Sequence, residues 1–325
     1  MHVKASSGAL NDAKEDASLP KCSILEESKD QPQRKKKSKS VSIGLPRTRE
    51  EDLLSNGVLV KSTDTWVEIH HVLGVDEAGR GPLAGPVVAA ALLWPPCTAP
   101  LAAICDSKRL TVEADREALY EQIIATPHVR WAVAVVDAAT IDEINILQAT
   151  LVGMRLTLQA LLDTTHDEAM SPPMRRGENA SVEESGTYVV TNASAVSQPL
   201  PSHACYALID GNRLPQNLPC QAETMVKGDG REYAIAAASI LAKVTRDRLM
   251  HDYDRLYPQF GLAQHKGYPT SAHMAAVHKH GASPIHRRTF APLKHWKFDA
   301  DGRVTGDKPP PVKKKKRKTT EEEAR

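Results

Sequence analysis

Aromatic residues are scarce: Phe, Trp and Tyr make up 4% of the 325 residues. That excludes a recognition surface built mainly from stacked rings and leaves the core to aliphatic side chains. Charge of one sign is missing too. Lys and Arg number 42 against 40 Asp and Glu, a formal net charge of +2, so the chain is not a uniformly basic nucleic-acid coat. The balance hides local excess, with 8 basic against 3 acidic residues over 308–325 and 2 against 6 over 163–203. No apolar run approaches the ~20 residues that a membrane span requires, and the longest, Val87–Trp94, is strand-length. The cysteines (Cys22, Cys97, Cys105, Cys205 and Cys220) form no Cys-x-x-Cys pair and no zinc spacing. Free thiols in a reducing compartment are expected. The N-terminus lacks an apolar signal core, and Asp12, Glu15 and Asp16 oppose a transit peptide. These absences predict a soluble intracellular protein that is not secreted and has no membrane partner.

What is present divides the chain into three parts. Residues 1–65 are rich in Lys, Ser, Glu and Pro without a sustained apolar period, which predicts a disordered extension. It contains the basic run Arg34-Lys35-Lys36-Lys37-Ser38-Lys39. The tail 308–325 carries prolines and then Lys313–Lys318, all basic. Such hexamers suit an import receptor or non-specific phosphate contact, and equally a solvated low-complexity tail. Between them, 66–307 reads as the folded domain, interrupted at 163–203 by an exposed insertion of Ser, Pro, Asn and Glu.

Within the domain, Val72–Val75, Gly85–Trp94, Val129–Val136, Cys205–Ile209 and Gln221–Val226 read as strands, with a short one at Tyr188–Val190 inside the insertion. Thr111 is expected to cap a helix through Leu119 and Ile123. Thr140-Ile141-Asp142-Glu143 fits a Thr-x-x-Glu capping box opening one helix through Ile144, Leu147, Leu151, Met154, Leu158 and Leu161. Glu232–Leu256 is a long helix, and Thr270–His280 a second, closed by Gly281. The alternation predicts an α/β fold, a mixed sheet flanked by helices with a helical C-terminal part.

Three acidic positions each end an apolar strand close to glycine: Asp76-Glu77, Asp210 and Asp229. Strand ends are where an open α/β sheet collects ligands. Carboxylates gathered there would not all stay ionised without a cation, and oxygen-only donors favour Mg²⁺ or Mn²⁺. A pair of such ions can activate a water for phosphodiester displacement. Each Asp alone is more simply explained as a turn residue or helix cap, and only the recurrence favours a site. Asp76 and Glu77 face opposite ways on a regular strand, so joint ligation requires that the strand already be turning, as Gly74 and Gly79 would permit. Gly79-Arg80-Gly81 lacks the helix of a dinucleotide fingerprint but allows close backbone approach to a sugar–phosphate chain. Lys108, Lys243 and Arg246 are candidate phosphate contacts, whereas Asp247, four residues after Lys243, is expected to form a surface pair with it. His278 and His280, near a helix end, are not expected to be ligands.

The run Gly74-Val75-Asp76-Glu77-Ala78-Gly79-Arg80-Gly81-Pro82-Leu83 resembles the opening motif of ribonuclease HII. The likeness continues through Asp106-Ser107-Lys108-Arg109-Leu110, Ile141-Asp142-Glu143-Ile144-Asn145-Ile146-Leu147, Leu208-Ile209-Asp210-Gly211-Asn212 and Val226-Lys227-Gly228-Asp229. Further blocks are Ala237–Asp247, His265-Lys266-Gly267-Tyr268-Pro269-Thr270 and His286-Arg287-Arg288-Thr289-Phe290. The resemblance implies a ribonuclease H-like fold acting as a single chain on RNA–DNA hybrids. It also implies incision 5′ of single ribonucleotides in DNA, leaving 3′-hydroxyl and 5′-phosphate ends, a role in replication and repair. It makes Asp76, Glu77, Asp210 and Asp229 the catalytic, metal-binding carboxylates for two divalent ions. Gly79, Arg80 and Gly81 would read the 2′-hydroxyl, and Tyr268 would pack on the following deoxyribose. A hybrid-binding module with a vestigial site and an exonuclease are the rival readings. Lys313–Lys318 predicts nuclear localisation, with a mitochondrial pool as the alternative.

Overall fold

The computed structural model describes residues 45–60, 64–104, 110, 112–162, 186–192, 200–299 and 303–305. Lys108 and its loop, Thr111, most of the insertion and both basic runs lie outside the described residues. The elements are α1 (Thr48–Asn56), β1 (Val58–Val60), β2 (Thr65–Val67), β3 (His71–Ala78), β4 (Val87–Leu93), α2 (Glu113–Ala125), β5 (Arg130–Val136), α3 (Ala138–Ile144) and α4 (Ile146–Leu162). They continue with β6 (Tyr188–Thr191), β7 (Cys205–Asp210), β8 (Gln221–Met225), α5 (Tyr233–Leu256), α6 (Leu262–His265), α7 (Ser271–His280), β9 (Lys297–Phe298) and β10 (Val304–Thr305). No described helix is long and apolar enough to cross a membrane.

Six strands form one sheet in the order β6-β5-β4-β3-β7-β8. β4, β5 and β6 pair antiparallel in sequence, while β3–β7 and β7–β8 are parallel. The expected mixed sheet is therefore present, including the short strand within the insertion. β4 is buried along its whole length, as its unbroken apolar run requires of a strand covered on both faces. One face, with Val88, Ala90, Leu92, Val133 and Val135, packs on α5 and α2. The other, with Leu73, Val75, Ala89 and Ala91, packs on Met154, Leu158 and Leu161 of α4. α5 approaches β3 closely because its packing residues are mostly alanine and because residue 74 is glycine: a Cβ there would stand 2.1 Å from the Ala234 carbonyl carbon.

Two expectations need correction. Thr140 does not open its helix; Asp137 caps α3, accepting the Thr140 amide at 2.9 Å. The run then breaks at Asn145, whose φ is 68°, and Asn145 Oδ1 accepts the Leu147 and Gln148 amides at 3.0 and 3.1 Å to start α4. A residue that caps through its own side chain can start a second helix where apolar spacing alone predicts one. Nor does disorder extend to residue 65. Leu53 of α1 is fully buried with Ile235 and Leu208. Arg47 bonds Trp94 O, and the Arg49 amide and guanidinium bond Glu232 and Glu223. Two adjacent leucines, Leu53 and Leu54, and a set of ion pairs dock this helix, so it leaves no apolar period to read.

Candidate active site

β3 and β7 run parallel in a register that pairs Val75 with Ile209. The next residue on each strand is an aspartate, Asp76 and Asp210, so the register itself brings both to one end and one face of the sheet. β3 does not turn at Asp76-Glu77, as joint ligation was expected to require. It stays paired with β4 through Ala78, with Asp76 opposite Ala90 and Glu77 opposite Ala89. Asp210 ends β7, and its Oδ1 accepts the Gly228 amide at 2.6 Å. That bond draws the turn Gly228–Gly230, with Asp229 buried in it, to the same sheet end just ahead of α5.

Asp76 is buried and accepts the Glu77 amide at 2.7 Å. Burial, then the charges of Glu77 and Asp210, raise its pKa well above the ordinary carboxylate value, against the opposing hydrogen bond from Ser239. Glu77 is raised by burial and by Asp210, and restrained by Arg80, whose Nη1 lies 3.4 Å from Glu77 Oε1. Among the described residues no three His, Cys, Asp or Glu side chains form a ready-made ligand cage. The donor chemistry nevertheless fits a hard divalent cation: the donors are carboxylate oxygens, Asp76 and Asp229 buried and Glu77 and Asp210 half-buried, and the neighbouring charges disfavour the anionic form of Asp76 and Glu77. Ser239, a polar residue in the alanine-rich face of α5, is a site residue that sequence spacing did not identify.

The neighbouring loop is held from behind. Arg246, expected at a phosphate, is instead fully buried, bonding Pro86 O at 3.0 Å and Ala84 O and Lys266 O at 3.1 Å. Arg287 is buried likewise and bonds Gly79 O, Arg80 O, Pro82 O and Gly85 O at 2.7–3.1 Å. Desolvation lowers these guanidinium pKa values to about 10 and about 9, leaving both charged at neutral pH. Tyr268 is exposed, and its ring edge stands 3.4 Å from where a Cβ on Gly81 would lie. Asp142 of the misread capping box accepts the amides of Arg288 and Thr289 at 2.7 and 3.0 Å. Lys243 does pair with Asp247, at 2.7 Å, but Asp247 is buried rather than on the surface, with Arg116 3.7 Å away. His278 packs on Trp296.

Three histidines brace the Tyr268 turn. His265 donates to Phe260 O at 2.9 Å and accepts the Gly267 amide at 3.3 Å. His273 donates to Tyr268 O at 3.0 Å, so its other nitrogen accepts from His286 at 3.0 Å. His286 in turn accepts from the Ser283 amide at 3.0 Å and hydroxyl at 2.8 Å. Each ring is thereby fixed as one neutral tautomer.

The family model described as Ribonuclease HII matches residues 73–293. A ribonuclease HII of Xanthomonas axonopodis pv. citri is 41% identical over 223 residues, covering 69% of this chain and 75% of the relative. A ribonuclease HII of Marinomonas sp. is 42% identical over 221 residues, covering 68% and 90%. The ribonuclease H2 of Pyrococcus horikoshii superposes with a TM-score of 0.46 at 22% identity, covering 69% of this chain and 96% of that one. With strand-end carboxylates set beside an arginine-braced glycine loop, this chain belongs to the ribonuclease HII family of ribonuclease H endonucleases.

Proposed function

We propose that this chain incises duplex DNA on the 5′ side of single embedded ribonucleotides, besides cutting the RNA strand of RNA–DNA hybrids, and leaves 3′-hydroxyl and 5′-phosphate ends. The observation that carries this reading is the parallel register of β3 and β7, which sets Asp76 and Asp210 side by side next to the exposed Arg80-Gly81 backbone and Tyr268. Asp76, Glu77, Asp210 and Asp229 would hold Mg²⁺ or Mn²⁺. Two such ions, when bound, supply Lewis-acid activation of the attacking water and of the leaving oxygen.

The rest falls to the chain's own groups. Ser239 favours the ionised form of Asp76, opposing the burial that on balance raises its pKa. The Asp210 carboxylate holds the Gly228 amide and so fixes the turn that carries Asp229. Arg80 and Gly81 would meet the 2′-hydroxyl with main-chain amides, which distinguishes ribose from deoxyribose without reading a base. Tyr268 would pack against the sugar that follows. Lys243, one-third exposed beside Asp247, is a proposed phosphate contact, as is Lys108.

The test is a covalently closed DNA duplex with one internal ribonucleotide, with Mg²⁺, Mn²⁺ or chelator. A metal-dependent nick 5′ of the ribonucleotide is expected, and Asp210→Asn should lower its rate by about 100-fold or more. Because the circle has no end, cleavage also excludes the exonuclease reading. Binding without a metal-dependent product would favour the non-enzymatic hybrid-binding module.

A further inference from the structure

Arg246 and Arg287 lie underneath the Gly79–Pro86 loop, and neither is poised to touch a substrate. Their bonds account for nearly the whole carbonyl row. Arg287 takes the oxygens of Gly79 at 2.7 Å, Gly85 at 2.9 Å, Pro82 at 3.0 Å and Arg80 at 3.1 Å, and its own amide takes Leu83 O at 2.8 Å. Arg246 takes Ala84 and Pro86. A trans peptide is planar, with its C=O and the following N–H on opposite sides. Holding Gly79 O and Arg80 O inward therefore turns the N–H groups of Arg80 and Gly81 outward, and both residues are exposed.

A third bond of Arg246, to Lys266 O at 3.1 Å, ties the loop to the turn that presents Tyr268. Leu83 reinforces that tie through its amide, which donates to Gly267 O at 2.8 Å. Residue 79 must be glycine for this to work. Its φ is 95°, and a Cβ would stand 2.0 Å from Arg246 Nε. Burying two guanidinium ions against neutral carbonyls is unfavourable compared with an apolar core. Only a planar fork of several donors can take so many divergent carbonyls at once.

We propose that Arg287 and Arg246 are positioning residues for ribonucleotide recognition. They fix the outward Arg80 and Gly81 amides and set their distance from Tyr268, so that loop and ring act as one gauge of a ribose–deoxyribose step. This rests on the incision reading above. It differs from a merely structural role, because the pair would govern substrate capture and not the carboxylates' chemistry.

The test compares wild type with Arg287→Gln and Arg246→Lys on the single-ribonucleotide duplex and on a long hybrid. Manganese affinity is followed separately by electron paramagnetic resonance. The expected result is a KM on the single-ribonucleotide duplex raised about tenfold or more, a smaller rise on the hybrid, and kcat and manganese affinity near wild type. Arg287→Lys, which keeps the buried charge with fewer donors, serves where the glutamine variant does not fold. Hydrogen exchange on the wild type needs no variant: the Arg80 and Gly81 amides should exchange fast when free and become protected on the single-ribonucleotide duplex with Ca²⁺. Wild-type KM in a folded variant, a loss confined to kcat, or absence of that protection overturns the proposal. If the wild type itself cuts only the hybrid, the incision reading fails instead.

Discussion

At the scale of single residues, buried Ser239 holds a chemical lever in the site. Its hydroxyl favours the ionised form of Asp76, while burial, Glu77 and Asp210 favour the protonated one. Removing the hydroxyl leaves the raising influences unopposed, so the carboxylate reaches its charged form only at higher pH. Ser239→Ala is therefore expected to move the acid limb of the cleavage pH profile upward, with the plateau rate less affected. An unmoved limb would show that Asp76 does not set it. The carboxylates were legible in the sequence because each follows an apolar strand. Ser239 was not, since one serine among alanines on a helix looks like any polar substitution. The sequence points Arg246 at a phosphate and gives Arg287 no role of its own, for a related reason. Their partners are loop carbonyls, which every residue has, so nothing in the sequence marks those two arginines as buried.

Elements show where periodicity informs and where it fails. The six strands of the main sheet, α5 and α7 were readable because apolar runs or helical spacing decide burial, whereas the short pairs β1–β2 and β9–β10 were not. Asn145 was not recognised as a break, because its role depends on a positive φ and a side-chain cap that leave the apolar spacing intact. The histidine-braced turn at Tyr268 carries its own prediction. Burial first, and neighbouring histidines next, depress His273 to about 4 and His286 to about 3. The unfolded chain takes up protons below about 6.5, and the folded one does not until those lower values. Stability is therefore intact above about pH 6.5 and falls as pH drops toward 4, by up to about 1.4 kcal/mol per unit for each ring. Urea unfolding between about pH 7.5 and about pH 5 should show a shallower slope in His273→Gln than in wild type. Equal slopes would mean that the pair is not the acid-sensitive element.

For the whole molecule, the family match begins at residue 73, yet the folded unit begins earlier. α1 places fully buried Leu53 against Ile235 and Leu208, directly behind the turn that carries Asp229. Leu53→Ala is expected to lower the unfolding free energy by about 2–4 kcal/mol, measurable as an earlier urea midpoint. A change within experimental error would mean that α1 is dispensable.

The register between β3 and β7 also has a consequence in time. Asp76 leaves the ribosome long before Asp210 and Asp229, and only the completed sheet brings them together. Until β7 has emerged and paired with β3, the nascent chain has no assembled site. The order in which the strands are made therefore sets the moment at which these carboxylates can first meet.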